Sequence, residues 1–186
     1  MSTVAAKLIT AEEFGAMEDP IDGSKQELVR GEIVTMPPPK GRHGYVQGEI
    51  YARIRDVVKP KKLGWVLVES GVVLERDPDT VRGPDVSFYS ITRHPSRPDD
   101  YFEIPPDLVV EVLSPDDRRR EVMDKIREYL ANGVRLVWLV NPDPEVLTVT
   151  VYRGTEPGVI FEESDTITGG DVLPEFSCQV GAFFSP

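Results

Sequence analysis

Residues 106–115 read PDLVVEVLSP, and this stretch decides which kind of fold the chain can adopt. The run from Asp107 to Leu113 is almost continuously apolar and is broken within its apolar part by one acid, Glu111. Short apolar runs of this kind are typical of strands that are buried on both faces of a sheet. We therefore predict a central strand over Asp107–Leu113 with one carboxylate in it.

The residues after this strand predict a helix and then a second buried strand. Ser114 has the character of an N-cap, Pro115 suits a first helical position, and Asp117 lies three residues after the cap. Apolar residues then recur at helical spacing until Gly133, and 134–140 is again strand-like. The expected unit is a right-handed strand–helix–strand with parallel strands.

Outside this unit the pattern alternates between short strands and two further helices. The first predicted helix is short, opening at Thr10 and running towards Met17, and the second covers about 42–58. A hairpin is expected over Gln26–Met36, turning at Arg30-Gly31. The other expected elements are strands at 65–69, 72–75, 84–90 and 147–153, and a turn at 77–83. This order predicts an α/β fold, which we place in one domain over 1–186 with its core at about 10–180.

Composition narrows the class of protein. No window approaches the roughly 20 apolar residues that a membrane helix needs, so no membrane association is expected. Cys178 is the only cysteine, which excludes an internal disulfide and favours a reducing, cytoplasmic location. The formal net charge of −11 argues against a protein that coats nucleic acid nonspecifically, although it leaves room for a local basic groove.

Three acids are candidates for chemistry: Glu27 in the hairpin, Asp85 after Pro84, and Glu111. A buried carboxylate needs a cation, a metal or hydrogen bonds beside it, and carboxylates from adjacent strands suit Mg²⁺ or Mn²⁺. Each acid also has a structural interpretation. Asp85 can be turn chemistry, Glu111 can pair with an arginine or leave the sheet edge, and Glu27 can be a surface acid.

Lys125 lies beside the apolar stripe of the helix that follows Glu111. Its ammonium could reach the carboxylates while its stem packs on the core, but an ordinary lysine at the edge of a core has the same pattern.

The order Glu27, His43, Pro84-Asp85, Glu111 and Lys125 resembles the Uma-two-type family of restriction-endonuclease-like proteins, within the PD-(D/E)XK nuclease superfamily. The motifs that carry the resemblance are ELVRG at 27–31, RGPD at 82–85 and PDLVVEVLSP at 106–115, and it spans about 10–180.

The resemblance implies a four-stranded mixed central β-sheet flanked by helices, with additional β-hairpins. It also implies Mg²⁺ (or Mn²⁺) held by Asp85, Glu111 and the backbone carbonyl of Val112. Leu113 stands where the (D/E)XK motif has its lysine, and Lys125 is the residue that could supply that amine. Nucleases of this size often act as two-fold dimers, so a homodimer is expected.

The resulting hypothesis is metal-dependent endonucleolytic hydrolysis of DNA phosphodiester bonds. Glu27 would assist as an outer metal ligand or positioning group, and His43, expected in the loop leading into the second helix, could contact phosphate or relay a proton. The candidate nucleic-acid-binding residues fall in two basic clusters, Arg118, Arg119 and Arg120 in one and Lys40 and Arg42 in the other. The three arginines are equally compatible with a solvated run balanced by neighbouring acids. The alternatives are a catalytically inactive binding module that keeps the fold, which the missing lysine and the acidity favour, and a hydrolase of smaller phosphorylated substrates.

Overall fold

The computed structural model describes residues 7–185. Three α-helices lie in this range: α1 Ala11–Gly15, α2 Gly41–Lys61 and α3 Arg119–Ala131. Thr10 caps α1 through a capping box with Glu13, as the sequence pattern predicts. The chain ends in a short 3₁₀ helix, Val180–Phe183.

Twelve strands accompany the helices. In chain order they are β1 Lys25–Val29, β2 Glu32–Met36, β3 Gly64–Val68, β4 Val72–Glu75, β5 Thr80–Arg82, β6 Val86–Ser90, β7 Leu108–Val112, β8 Leu136–Asn141, β9 Thr148–Tyr152, β10 Val159–Glu162, β11 Thr166–Gly169 and β12 Leu173–Gln179.

Six of these strands form a mixed central sheet in the order β10-β9-β8-β7-β6-β3. The β7–α3–β8 unit at its centre is parallel, as predicted, and β6 joins β7 in antiparallel register with Val86 opposite Val110. Four strands form a second sheet in the order β2-β1-β5-β4, and β11 pairs with β12. The predicted class, a mixed sheet flanked by helices with added hairpins, is confirmed, and the central sheet has six strands instead of the four expected.

The central sheet is covered on both faces. Successive side chains of a strand point to opposite faces, so Val110 and Val112 face α2 and the C-terminal segment, whereas Val109 faces α3. Trp138 is fully buried on the α2 face. Since Glu111 alternates with Val110 and Val112, it lies on the α3 face, where a polar partner can reach it.

Three local predictions differ from the structure. Helix α3 begins at Arg119 with Arg118 as N-cap, because the Asp117 carboxylate accepts the Ser114 N–H and closes a turn there instead of a helical cap. The segment predicted as a turn at 77–83 contains β5, which pairs on both sides with β1 and β4. His43 lies in the first turn of α2 and not in the loop before it.

The predicted hairpin turn is present, with Arg30 and Gly31 both at positive φ, the conformation that two-residue hairpin turns favour. Among residues 7–185, no helix is long and apolar enough to cross a membrane.

Candidate active site

Glu27 lies on β1 with only 1% of its surface exposed, and three donors surround its carboxylate. Arg82 Nη1 lies 2.8 Å from Oε2, and the Gly83 N–H donates to Oε1 over 3.1 Å. Lys125 Nζ lies 3.0 Å from Oε1. The surface-acid interpretation of Glu27 is therefore wrong, because this carboxylate is buried and fully engaged.

Asp85 lies just before β6 and is also buried. Its Oδ2 accepts the Val112 N–H over 2.8 Å and lies 3.2 Å from His43 Nε2. Its Oδ1 lies 3.3 Å from Lys25 Nζ. Continuing the antiparallel register of β6 and β7 by one step places Asp85 opposite Glu111. The hydrogen bond between the Asp85 side chain and the Val112 N–H therefore links the end of β7 to the beginning of β6, close to both acids.

Glu111 projects from β7 toward α3, where two side chains of that helix contact one of its oxygens. Lys125 Nζ lies 2.9 Å from Oε1, and the Tyr129 hydroxyl donates to the same oxygen over 2.7 Å. Lys125 and Tyr129 are four residues apart, so they share one face of α3. Glu111 is paired with a lysine and a tyrosine, and the arginine partner considered from the sequence is not the one found.

Burial and the neighbouring charges shift the pKa values of the three acids in opposite directions. Burial disfavours ionised Glu27, but Lys125, Arg82 and Lys25 outweigh burial and lower its pKa to about 2. Burial likewise opposes ionised Asp85, and His43 and Lys25 hold the pKa of Asp85 well below its usual range. Burial raises the pKa of Glu111, which Lys125 only partly offsets. Carboxylates with such divergent pKa values are typical of functional sites.

Lys125 and His43 both remain cationic more readily than usual. Burial lowers the pKa of Lys125, but Glu111 and Glu27 outweigh it, so the net shift is upward. Burial also lowers the pKa of His43, and its hydrogen bond to ionised Asp85 reverses that shift. The neighbouring carboxylates therefore favour the charged form of Lys125.

The predicted metal donors are hard oxygens on β7 and just before β6: the carboxylates of Asp85 and Glu111 and the carbonyl of Val112. Within residues 7–185, no group of three or more His, Cys, Asp or Glu side chains is arranged to hold a metal ion. Two carboxylates with a peptide carbonyl nevertheless fit Mg²⁺, which one or two carboxylates commonly hold together with water and substrate phosphate. The donor set suits an ion that the substrate helps to bind.

Four residues of the cluster escaped the sequence analysis: Lys25, Gln47, Arg82 and Tyr129. Gln47 is buried, and its amide donates to the Asp85 carbonyl over 3.0 Å. Tyr129 is one of the residues at helical spacing before Gly133, a pattern that predicts a core residue and no polar contact. Its spacing of four from Lys125 and the spacing of two between Lys25 and Glu27 were the available signals, since both place side chains on a common face.

The five basic residues proposed to bind nucleic acid lie outside this cluster and are exposed. Within the described part of the chain, Arg118 lies 3.3 Å from Glu121 and Arg120 lies 3.8 Å from Asp124, both of them acids of α3. Lys40 lies 3.1 Å from Asp116, which brings the beginning of α2 beside the loop that precedes α3. The two basic clusters are therefore neighbours, and α2 connects them to His43. Arg42 and Arg119, the other two of the five basic residues, are likewise exposed.

Two comparisons bear on what this arrangement is for. Residues 11–181 match the sequence model of the Uma2 family, described as "Putative restriction endonuclease". The fold is similar to the crystal structure of "a putative nuclease belonging to DUF820" from Anabaena variabilis, with a TM-score of 0.80 and 28% sequence identity over 95% of this chain and 97% of that one. No curated protein matches the chain.

Proposed function

Because the chain belongs to the Uma2 family of restriction-endonuclease-like proteins, we propose that it is a metal-dependent endonuclease that hydrolyses DNA phosphodiester bonds at Asp85, Glu111 and Lys125. The observation that supports this most directly is the position of Lys125 Nζ, 2.9 Å from Glu111 and 3.0 Å from Glu27. Lys125 thereby brings to the carboxylates the amine that Leu113 cannot supply.

Asp85, Glu111 and the Val112 carbonyl would hold Mg²⁺ (or Mn²⁺). When bound, the ion supplies Lewis-acid polarisation of the phosphate and a water of lowered pKa. The hydrogen bond from the Val112 N–H to Asp85 keeps one carboxylate oriented at the end of β7. The Tyr129 hydroxyl and Lys125 do the same for Glu111.

Lys125 would stabilise the negative charge that develops on the phosphate as the bond to the leaving oxygen breaks. A protonated amine held in place before the reaction does this without reorganisation, and one such donor is typically worth about 100- to 1000-fold in rate. Glu27 positions that amine, and the Arg82 guanidinium and the Gly83 N–H fix Glu27 in turn. His43 would orient Asp85.

In this proposal the phosphate backbone of the substrate is bound by five basic residues: Arg118, Arg119, Arg120, Lys40 and Arg42. These residues lie at the beginnings of α2 and α3, which the contact between Lys40 and Asp116 brings together, and a chain whose net charge is −11 would need such a local basic surface to bind phosphates. A two-fold dimer would present two such sites to the two strands, and we expect the protein to act in the cytoplasm.

A second candidate function follows from the charge balance of the cluster. The carboxylates of Glu27, Asp85 and Glu111 are each contacted by a protein cation, drawn from Lys25, Arg82 and Lys125. Such a site is stable without a metal, so a DNA-binding module without turnover could keep it.

Cleavage assays on supercoiled plasmid and on single-stranded DNA, with Mg²⁺ and with Mn²⁺, separate the two functions. We expect wild-type protein to nick DNA and Asp85→Asn to lose about 1000-fold in rate or more. Asp56→Asn, which removes an exposed carboxylate of α2, is the matched control and should cleave normally. Equal cleavage by Asp85→Asn would exclude the proposed site, and tight DNA binding without cleavage by wild type would favour the module.

A further inference from the structure

Three lysine and arginine side chains contact the carboxylate cluster, and they are held differently. Arg82 is fixed by Glu27 at 2.8 Å and by Glu128 at 2.5 Å. Lys125 is fixed between two carboxylates, with its ammonium also 5.8 Å from the centre of the Tyr129 ring. Among the described residues, Lys25 has one ion-pair partner, Asp85, at the longer distance of 3.3 Å. Lys25 is thus the least constrained of the three charges.

The partner oxygen of Lys25 is the one that a metal ion would need. Asp85 Oδ2 already lies within hydrogen-bonding distance of the Val112 N–H and His43 Nε2. Oδ1 is contacted by Lys25 Nζ. Since a carboxylate oxygen that is fully engaged in hydrogen bonds is a poor ligand, a divalent ion would bind Asp85 through Oδ1. The Lys25 ammonium and a divalent ion would then compete for Asp85.

The backbone of Lys25 cannot follow such a displacement, because it belongs to β1 and is paired with Met36 of β2. Its side chain can, since the stem passes over Gly83, where a Cβ would come within 3.4 Å of Lys25 Cε. The Lys25 side chain is 19% exposed, so part of it reaches solvent. An ammonium displaced from Asp85 would therefore stay near the carboxylates on its tether, where it could contact a bound substrate.

We propose that Lys25 has two positions: on Asp85 when the site holds no metal, and on a non-bridging oxygen of the scissile phosphate when metal and DNA are bound. This inference rests on the proposed function of the same site. In the first position Lys25 is a stand-in cation that neutralises Asp85, and in the second it is a substrate-binding residue.

The test compares wild type with Lys25→Met, which keeps the length of the stem and removes the charge. Mn²⁺ affinity without DNA is measured by calorimetry. Affinity for a short duplex with Ca²⁺ present is measured by fluorescence anisotropy at several salt concentrations. Lys61→Met is the matched control, because Lys61 pairs with an exposed acid, Glu175. Lys61 also lies 18 residues after His43 on α2, which is about 27 Å along the helix at 1.5 Å per residue.

In Lys25→Met we expect Mn²⁺ affinity to rise about tenfold, since a competing charge a few ångströms from the ion is gone. We also expect the slope of log affinity for DNA against log salt concentration to fall by about 0.9, the loss of one phosphate contact. Lys25→Arg should keep the salt slope. A merely structural ion pair would also raise the Mn²⁺ affinity when it is removed, but it would leave the salt slope unchanged.

Mn²⁺ affinity that does not rise, or a salt slope that does not change, overturns the proposal. Lys25→Gln supplies the same readouts if the methionine variant fails to fold. Neither readout needs turnover, so both decide the role of Lys25 even where wild type cleaves no DNA, a result that would contradict only the proposed nuclease activity.

Discussion

The ammonium of Lys125 lies 3.0 Å from Glu27, a residue of the four-stranded sheet. The same nitrogen lies 2.9 Å from Glu111 of the central sheet. One side chain of α3 therefore joins the two sheets through a buried ionic contact. Its removal leaves two carboxylates buried with less compensation, which couples the stability of the fold to the integrity of the candidate site.

Lys125→Met should destabilise the protein by about 3 kcal/mol or more, because breaking a buried ion pair from one side leaves uncompensated charge. Cleavage should fall by at least about 100-fold in the same variant. Urea denaturation and plasmid nicking measure the two effects. Arg127→Met removes an exposed cation from the same helix and is the control. It should change the free energy of unfolding by no more than about 0.5 kcal/mol and the cleavage rate by no more than about twofold.

The double variant Lys125→Met/Glu27→Gln separates the ion pair from the packing of the lysine stem. If the contact seen in the structure carries the effect, the double variant should be more stable than the sum of the single losses predicts, by on the order of 1 to 3 kcal/mol. Strict additivity would show that Lys125 and Glu27 do not interact in solution.

Tyr129→Phe should leave the fold intact and move the pH dependence of cleavage. The ring is buried and is retained, so we expect a loss of only about 1 kcal/mol from the missing hydrogen bond to Glu111. The hydroxyl stabilises ionised Glu111, whose pKa burial already raises, so its removal raises that pKa further.

The acid limb of the pH–rate profile should therefore shift to higher pH in Tyr129→Phe, with the plateau rate little changed. Tyr45→Phe is the control, since Tyr45 is an exposed tyrosine on α2. A profile that superposes on that of wild type would show that Glu111 does not set the acid limb.

Stability should fall with acid in a way that Glu27 accounts for in part. Its pKa of about 2 in the folded protein lies below the ordinary value of 4.5, so the folded state favours the ionised form. This difference is worth about 3 kcal/mol, present above pH 4.5 and lost as the pH falls toward 2. Asp85 adds a loss of the same sign, because its pKa is also lowered.

Urea denaturation at intervals from pH 6 to pH 3 measures this loss. Glu27→Gln should give a flatter profile than wild type below pH 4.5, whereas Glu32→Gln, on the neighbouring strand and exposed, should reproduce the wild-type slope. Glu111 cannot supply the effect, since its raised pKa makes its own contribution to stability fall as the pH rises. Parallel wild-type and Glu27→Gln profiles would contradict the buried, ion-paired state of Glu27.

The central unit of the fold was predictable because its pattern is local. An apolar strand, an amphipathic helix and a second apolar strand leave few topologies, and handedness excludes most of the rest. The beginning of α3 was mispredicted because Ser114 and Asp117 serve a turn as readily as a cap. β5 was missed because the charged and turn-forming residues around Thr80–Arg82 conceal a strand that pairing on both sides stabilises.

The acids of the site could be proposed from sequence because a carboxylate in an apolar strand needs a partner. The partners themselves could not. Arg82 and Lys25 reach the cluster only because β5 lies beside β1 and because the chain brings β1 to the end of β6, and both facts depend on tertiary structure. The roles of these residues, and the organisation of 1–186 as one domain, stay predictions.

The arginines at the beginning of α3 offer a last test, because folding and DNA binding should respond to them in opposite directions. Cations at a helix N-terminus oppose the helix dipole, so Arg118→Gln/Arg119→Gln/Arg120→Gln should stabilise the protein slightly, by about 0.3 kcal/mol or more. DNA affinity should fall, and the slope of log affinity against log salt should drop by about 2 to 3 if the side chains contact phosphates.

The charge-matched control is Lys59→Gln/Lys61→Gln/Lys62→Gln at the C-terminal end of α2, where the helix dipole favours cations. This variant should lose a little stability and keep its DNA affinity. Equal losses of affinity in both triple variants would mean that net charge alone governs binding. A loss confined to the arginine variant, accompanied by a gain in stability, would show that these residues are kept for a phosphate partner at the expense of the helix.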